Sequence, residues 1–544
     1  MRHLAKLTLY ALPIGFLGVF FAYPLFSILR VSLTSDAGGL DLSGFADLLT
    51  KPYYRETLAF TVGQAALSTA LTLALAVPCA LVFVRYRFWG KGALMALGTL
   101  PFVLPTVVVA AAFDALIGER GALNQLLMGA FRLDTPPIQL ERTLTLVLIA
   151  HVFYNFAVAL RMIAGYWGNQ SPRLEEAARV LGVSGWGLWW RVRLPMLRPA
   201  IAAAGLLVFI FTFTSFGVVL ILGGSRLATL EVEIYRQTLT FFDLPTAAAL
   251  SLVQLVVTSV MMLAYTRLQA GQSGALAARA QTERTPRTRA ERWAVGLTVG
   301  LMLALLVAPL AALVLRALTV AGGLDNFARL GVNARGSVLF VPPTVAIGNS
   351  LLFAALATLF ALVLGTLTAA LIHRQRGGWL DAAFMLPLAT SAVTLGLGYL
   401  VGLTALRAAS VLIVIAHTLV ALPFVVRSVL PALRSIPRHL PEAARVLGET
   451  PSGVWRRITL PIIGRAATVG ATFAFTVSMG EFGASLFIAR PDTPTMPVVI
   501  FTLLGQPGAS NYGQALAMSV ILMAVCAIGF FVIERLRTAG VGEF

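Results

Sequence analysis

The sequence predicts an all-α membrane protein of about twelve transmembrane helices, arranged as two tandem six-helix halves. Three observations lead there. Of 544 residues, 58% are hydrophobic and only 12% charged, more apolar surface than a soluble chain of this length could bury. Apolar runs long enough to cross a bilayer, which takes about 20 residues of helix, fall six on either side of a polar stretch at 269–292. A polar heptapeptide, Glu-Ala-Ala-Arg-Val-Leu-Gly, occurs once in each half.

The runs lie near 7–33, 57–84, 93–117, 143–167, 198–222 and 246–268, then 293–319, 348–373, 381–406, 409–431, 464–489 and 513–536. The first follows Arg2 and Lys6, is too long for a signal-peptide core and lacks a small-residue cleavage site, so it reads as a retained helix. The loop after it carries Asp36, Asp41, Asp47 and Glu56, whereas the next carries Arg85, Arg87 and Lys91. Basic loops stay on the cytoplasmic side. The seam with Arg279, Arg284, Arg287, Arg289 and Arg292 then reads as a flexible cytoplasmic linker. An even number of spans places both termini, including Arg535 and Arg537, on that side.

The net charge of +18 therefore reflects membrane orientation and attraction to anionic headgroups rather than nucleic-acid binding. Cys79 and Cys526 fall inside apolar runs, which excludes a disulfide framework or a metal knuckle.

The repeated segments run from Glu176-Ala177-Ala178-Arg179-Val180-Leu181-Gly182 to Leu194-Pro195, and from Glu442-Ala443-Ala444-Arg445-Val446-Leu447-Gly448 to Leu460-Pro461. Corresponding residues stand 266 positions apart without a gap, as Glu176 does from Glu442. The same spacing relates His151 to His417, Arg161 to Arg427 and Phe216-Gly217 to Phe482-Gly483. A register held over that distance indicates tandem duplication, and six spans per copy give parallel repeats about an axis along the membrane normal. Each segment predicts a short helix with its acid at the positive dipole end and Arg179 one turn on, able to pair with Glu176. Ala177 and Ala178 leave a smooth face for another protein, and Gly182 suits a left-handed cap. Trp186, Trp189 and Trp190 suit the membrane interface.

No phosphate-binding loop is present: Lys6, Lys51 and Lys91 are the only lysines, and none precedes Ser or Thr. Catalytic and metal-ligand constellations are absent, so the chain reads as no enzyme and as needing no cofactor of its own. The polar groups within spans are candidates to line a pathway, since such groups face the bundle interior. They are His151, Asn155 and Ser215 in the first half and His417, Ser478 and Glu481 in the second.

The duplicated Glu-Ala-Ala…Gly…Leu-Pro pattern resembles the EAA loop of binding-protein-dependent ABC importer permeases of type I fold. The resemblance covers nearly the whole chain and implies a first permease half at 1–268 with its loop at 171–195. A cytoplasmic linker at 269–292 and a second half at 293–544, with its loop at 437–461, complete the division. It further implies that Glu176, Ala177, Ala178, Arg179 and Gly182, and likewise Glu442, Ala443, Ala444, Arg445 and Gly448, belong to coupling helices. These would seat two copies of a cytoplasmic ABC ATPase, which bind ATP and Mg. A periplasmic or lipid-anchored solute-binding protein would deliver cargo to a multi-pass protein of the bacterial inner membrane. Fused double permeases of this length resemble the ferric-iron and thiamine importers. The stretch Ser215–Gly224, with Thr229-Leu230-Glu231, Ile234-Tyr235 and Ala150–Asn155, is similar to the thiamine branch; Gly480–Gly483 is similar too, with Glu481 where that branch has Asp. Thiamine (or its phosphates) and ferric iron are thus the cargo expectations. The rival class is an ion-coupled secondary transporter with two six-helix halves, which predicts relay residues deep in the spans and no duplicated docking loop.

Overall fold

The computed structural model describes residues 2–34, 39–224, 226–270, 283–320, 322–333, 339–375, 378–437 and 439–538. Among them there is no β-strand, and ten helices are long and apolar enough to cross a membrane. These are Tyr10–Leu33, Pro52–Arg85, Leu144–Gly168, Gly185–Phe213, Leu244–Gln269, Arg289–Thr319, Pro343–Arg374, Val411–Arg434, Pro451–Gly480 and Ala509–Ile533.

Two of the expected spans are not continuous helices. The run near 93–117 is cut into Lys91–Leu97, Leu100–Val103 and Thr106–Ile117. The run near 381–406 is cut into Trp379–Ala389 and Ala392–Gly402, which meet at a 93° bend. Two further runs stop early. Helix Leu194–Phe213 ends before Thr214–Phe216 and chain resumes as Gly217–Leu222; Leu460–Gly480 ends before Glu481–Phe482 and resumes as Gly483–Ile488.

The duplication extends to backbone detail. π-helical turns at Trp189–Arg193 and Trp455–Thr459 are equivalent, and a second pair occurs at Gly18–Ala22 and Leu303–Val307. Each precedes a proline by two residues (Pro195, Pro461, Pro24 and Pro309). Proline has no N–H and its ring crowds the carbonyl four residues back, so the turn opens to the wider i→i+5 spacing. The 266-residue register begins only with the Leu144 helix. Before it, Leu100-Pro101 matches Leu386-Pro387, 286 positions on, because the first half inserts helix Ala122–Phe131 where the second has only Leu403–Ser410.

The halves interlock. The Tyr10–Leu33 helix packs on Pro343–Arg374 and Ala392–Gly402 of the second half, with Pro24 and Ser27 against Gly398 and Gly402. Reciprocally, Ala308–Thr319 packs on Thr106–Ile117 of the first half.

Of the expected linker at 269–292, residues 271–282, with Arg279, lie outside the described residues. Its remaining part is ordered. Arg284 forms a parallel bridge with Tyr86, its guanidinium lies 5.6 Å above that ring, and Lys91 pairs with Glu283 at 2.6 Å. Thr288 and Glu291 form a capping box that starts the next helix.

Candidate functional site

The four helix breaks lie around one cavity of about 360 Å³ between the halves. Leu104–Pro105 and Thr390–Ser391 are duplicates, both extended; Ser215–Phe216 and Glu481–Phe482 are duplicates too, with Glu481 extended but Phe216 in the helical region. Leu104 is driven out of helix by the proline that follows. Ser391 instead caps its new helix, its Oγ accepting from the backbone N–H of Val393 at 3.0 Å and Thr394 at 3.4 Å. Interrupted backbone inside a membrane bundle is tolerated where it lines a cavity, and these breaks shape this one.

His151, Asn155, Ser215 and Glu481 line the cavity. His151 sits between two hydroxyls, Nδ1 3.0 Å from Ser68 Oγ and Nε2 2.8 Å from Ser215 Oγ. Asn155 donates to the His151 carbonyl at 2.9 Å. His417 and Ser478 do not line it; they lie behind Glu481, with His417 Nδ1 2.7 Å from Ser478 Oγ and Nε2 2.9 Å from Ser485 Oγ. The Glu481 carboxylate accepts from Ala484 N at 2.7 Å, Ser485 N at 2.9 Å and Ser485 Oγ at 2.6 Å, with His417 Nε2 at 3.4 Å.

The two walls differ at several equivalent positions, among them Tyr154/Val420, Thr214/Gly480 and Ser215/Glu481. Ser215 and Glu481 are equivalent residues, 266 apart, so one copy offers a hydroxyl and the other a carboxylate. The hydroxyl copy makes no cap to its short helix, so a carboxylate there is not a requirement of the fold.

Between the walls, Phe216 and Phe482 stack with centroids 5.7 Å apart and planes at 22°. Each is flanked by the same neighbour of its own copy: Tyr235 lies 5.6 Å from Phe216, and Phe501 lies 5.4 Å from Phe482. Gly217 and Gly483 make this approach feasible. A Cβ at Gly217 would overlap the Thr106 hydroxyl, and one at Gly483 would sit 2.8 Å from the Cβ of Ala392.

Sequence reading missed Ser391, whose hydroxyl donates at 2.6 Å to the fully buried Glu231 of the other half. Gln254 donates to the other oxygen of Glu231. The sequence signal was an acid, Glu231, whose duplicate, Pro497, is apolar.

The repeated loops form the helices Arg173–Val180 and His439–Val446. Glu176, Ala177, Arg179, Val180, Leu181 and Gly182 are exposed, as are Glu442, Ala443, Arg445, Val446, Leu447 and Gly448, while Ala178 and Ala444 are half-buried. Gly182 and Gly448 take φ of +81° and +87°, which returns the Val183 N–H to the Ala178 carbonyl. Arg179 does not pair with Glu176. It reaches Glu175 at 3.0 Å, and Glu176 is left free to face outward. Trp186 and Trp190 are exposed, whereas Trp189 packs on Trp167 at 6.1 Å.

Comparison with known proteins places these features in context. Residues 68–274 and 361–538 match the model for "Binding-protein-dependent transport system inner membrane component". The thiamine transport system permease protein of Brucella abortus is 26% identical over 518 residues, covering 94% of this chain and 92% of that protein. Its counterpart in Salmonella typhimurium is 27% identical over 502 residues, 89% of each. The molybdenum transport system permease protein of Mycobacterium bovis is 33% identical over 248 residues, 45% of this chain and 88% of that one.

Proposed function

The chain belongs to the family of inner membrane components of binding-protein-dependent transport systems, and from that premise we propose that it is the permease through which thiamine is imported. The chain is a multi-pass membrane permease of the ABC importer class.

The observation that carries the reading is the cavity framed by four duplicated helix breaks and lined by the stacked Phe216 and Phe482. The cycle is alternating access. Two ATPase subunits, holding ATP and Mg, seat on Glu176–Gly182 and Glu442–Gly448. Their closure moves the two loops together, and the halves part at the ring stack to admit cargo from a solute-binding protein. Hydrolysis returns the inward-facing state. Nucleotide supplies the main bias, so cargo needs to distinguish the states by only a few kcal/mol. Both termini and the basic loops lie on the cytoplasmic side in this scheme.

Cavity chemistry favours thiamine over the alternatives. Thiamine joins a cationic thiazolium ring to an aminopyrimidine, matched by the Glu481 carboxylate and the rings of Tyr154, Phe216 and Phe482. An oxyanion such as molybdate would meet Glu481 with no Lys or Arg on the cavity wall. Ferric iron calls for clustered ligands, and among the described residues no group of three His, Cys, Asp or Glu is placed to hold a metal ion. Uptake of labelled thiamine, ferric iron and molybdate in cells with and without the gene tests the reading. Loss of thiamine uptake alone supports it; loss of either of the others with thiamine unchanged overturns the cargo assignment.

A further inference from the structure

The two repeated loops share their tips and differ at their roots. In the first, Glu175 is buried and held by three guanidinium groups: Arg193 Nε and Nη2 at 3.1 and 2.9 Å, Arg179 at 3.0 Å and Arg85 at 3.5 Å. Arg85 ends the Pro52–Arg85 helix, and Arg193 lies in the π turn that leads into Leu194–Phe213. One carboxylate thus ties the 173–180 helix to two membrane-spanning helices.

The adjoining backbone is strapped as well. Arg85 O accepts from Arg284 N at 3.0 Å and Arg87 N donates to Arg284 O at 2.9 Å, which fastens the start of the second half beside the same cluster.

Among the described residues, the second loop carries none of this. Glu175 is matched by Pro441 and Arg193 by Thr459, so both partners of the bidentate pair are gone. Arg445 keeps the place of Arg179 but, among the described residues, has no ion pair. The ties of that loop are internal: Thr450 Oγ1 accepts from Gly453 N at 3.1 Å, and Glu449 pairs with Arg457. The exposed residues within Glu176–Gly182 and Glu442–Gly448, by contrast, match residue for residue, with Val180-Leu181 and Val446-Leu447 nearly bare.

We propose that the two loops are mechanically unequal docking sites for one kind of partner, with the first a clamped lever and the second a loosely held one. The proposal rests on the docking role given to these loops above. Pre-ordering a binding element removes ordering cost from association, so an identical ATPase subunit binds the first loop more tightly and occupies it first. Glu175 is the positioning residue for this difference. Its loss leaves three guanidinium groups facing one another, which pushes the helix away from its anchors.

The test uses full-length permease with one loop disabled at an exposed alanine. A443D leaves the first loop and A177D leaves the second, and binding of the purified ATPase subunit is titrated against each. Affinity for the first loop is expected to exceed that for the second by about tenfold, and E175Q added to A443D should remove the advantage. Equal affinities, or no effect of E175Q, would overturn the inequality. Full binding to the A177D/A443D double variant would instead overturn the docking role itself. A second readout does not depend on E175Q folding: spin labels at V180C or V446C, with Cys79 and Cys526 replaced by Ser, in permease without ATPase. The label at 446 is expected to be the more mobile, and equal mobilities would also refute the proposal.

Discussion

Ser215 and Glu481 occupy the same position in the two halves and face equivalent histidines, Ser215 Oγ 2.8 Å from His151 Nε2 and Glu481 Oε2 3.4 Å from His417 Nε2. Duplication built the cavity from equivalent elements, and this exchange, with Tyr154/Val420 and Thr214/Gly480, makes its walls chemically different. On the reading proposed above, cargo without symmetry of its own enters in a single orientation.

E481Q is expected to raise the concentration of thiamine needed for half-maximal uptake roughly tenfold, the scale of one hydrogen bond or contact to a charged group. The amide keeps the size of the side chain and can still accept from Ala484. S215A should change it by less than about threefold, since the hydroxyl serves His151. Concentration-dependent uptake in complemented cells checks both. An E481Q curve that overlays the wild type would remove Glu481 from cargo recognition.

Gly217 is tightly packed beside the ring stack. G217A places a methyl group against Thr106 and 3.2 Å from Phe482 Cδ1, and overpacking of this kind costs about 1–3 kcal/mol. The variant should show a lower thermal unfolding midpoint in detergent, and T106A, which removes the clashing hydroxyl, should restore part of it. An unchanged midpoint in G217A would contradict the packing described.

Much of this was legible in the residues. The apolar runs, the repeat and its loops all follow from composition and spacing, because a membrane helix advertises itself by length and a duplication by register. The breaks at Thr214–Phe216 and Glu481–Phe482 were hidden: they contain no proline, and hydropathy runs through them. Leu104-Pro105 carried the signal for a break that run length overrode. Four of the six pathway candidates reach the cavity, because polarity within a span identifies interior residues; it does not separate His417, one layer behind, from His151 on the wall. Glu175 lies outside the repeated heptapeptide, and its duplicate is Pro441, so the repeat carries no sign of the clamp.

Burial disfavours the charge on Glu175, but Arg193, then Arg85 and Arg179, more than offset it, so its carboxyl titrates below the ordinary value of 4.5. A lowered carboxylate contributes stability that is fully present above the unfolded value and is lost as pH falls through the folded one. Hydrogen-exchange protection of Arg173–Val180, corrected for intrinsic rates, should therefore stay level through neutral and mildly acidic pH and collapse only below about 4.5. In E175Q this step should be absent. A fall in protection near neutral pH would show that another group holds the helix.

The most direct test of alternating access at this cavity is to lock the Phe216–Phe482 seam. F216C/F482C, with Cys79 and Cys526 replaced by Ser, places two thiols where the rings now stack. Thiamine uptake is measured before oxidation, after it and again after reduction, with the cross-link confirmed at each stage. The account predicts that uptake stops when the link forms and returns when it is reduced. Uptake that continues through a formed cross-link would show that cargo does not pass between the halves at this seam.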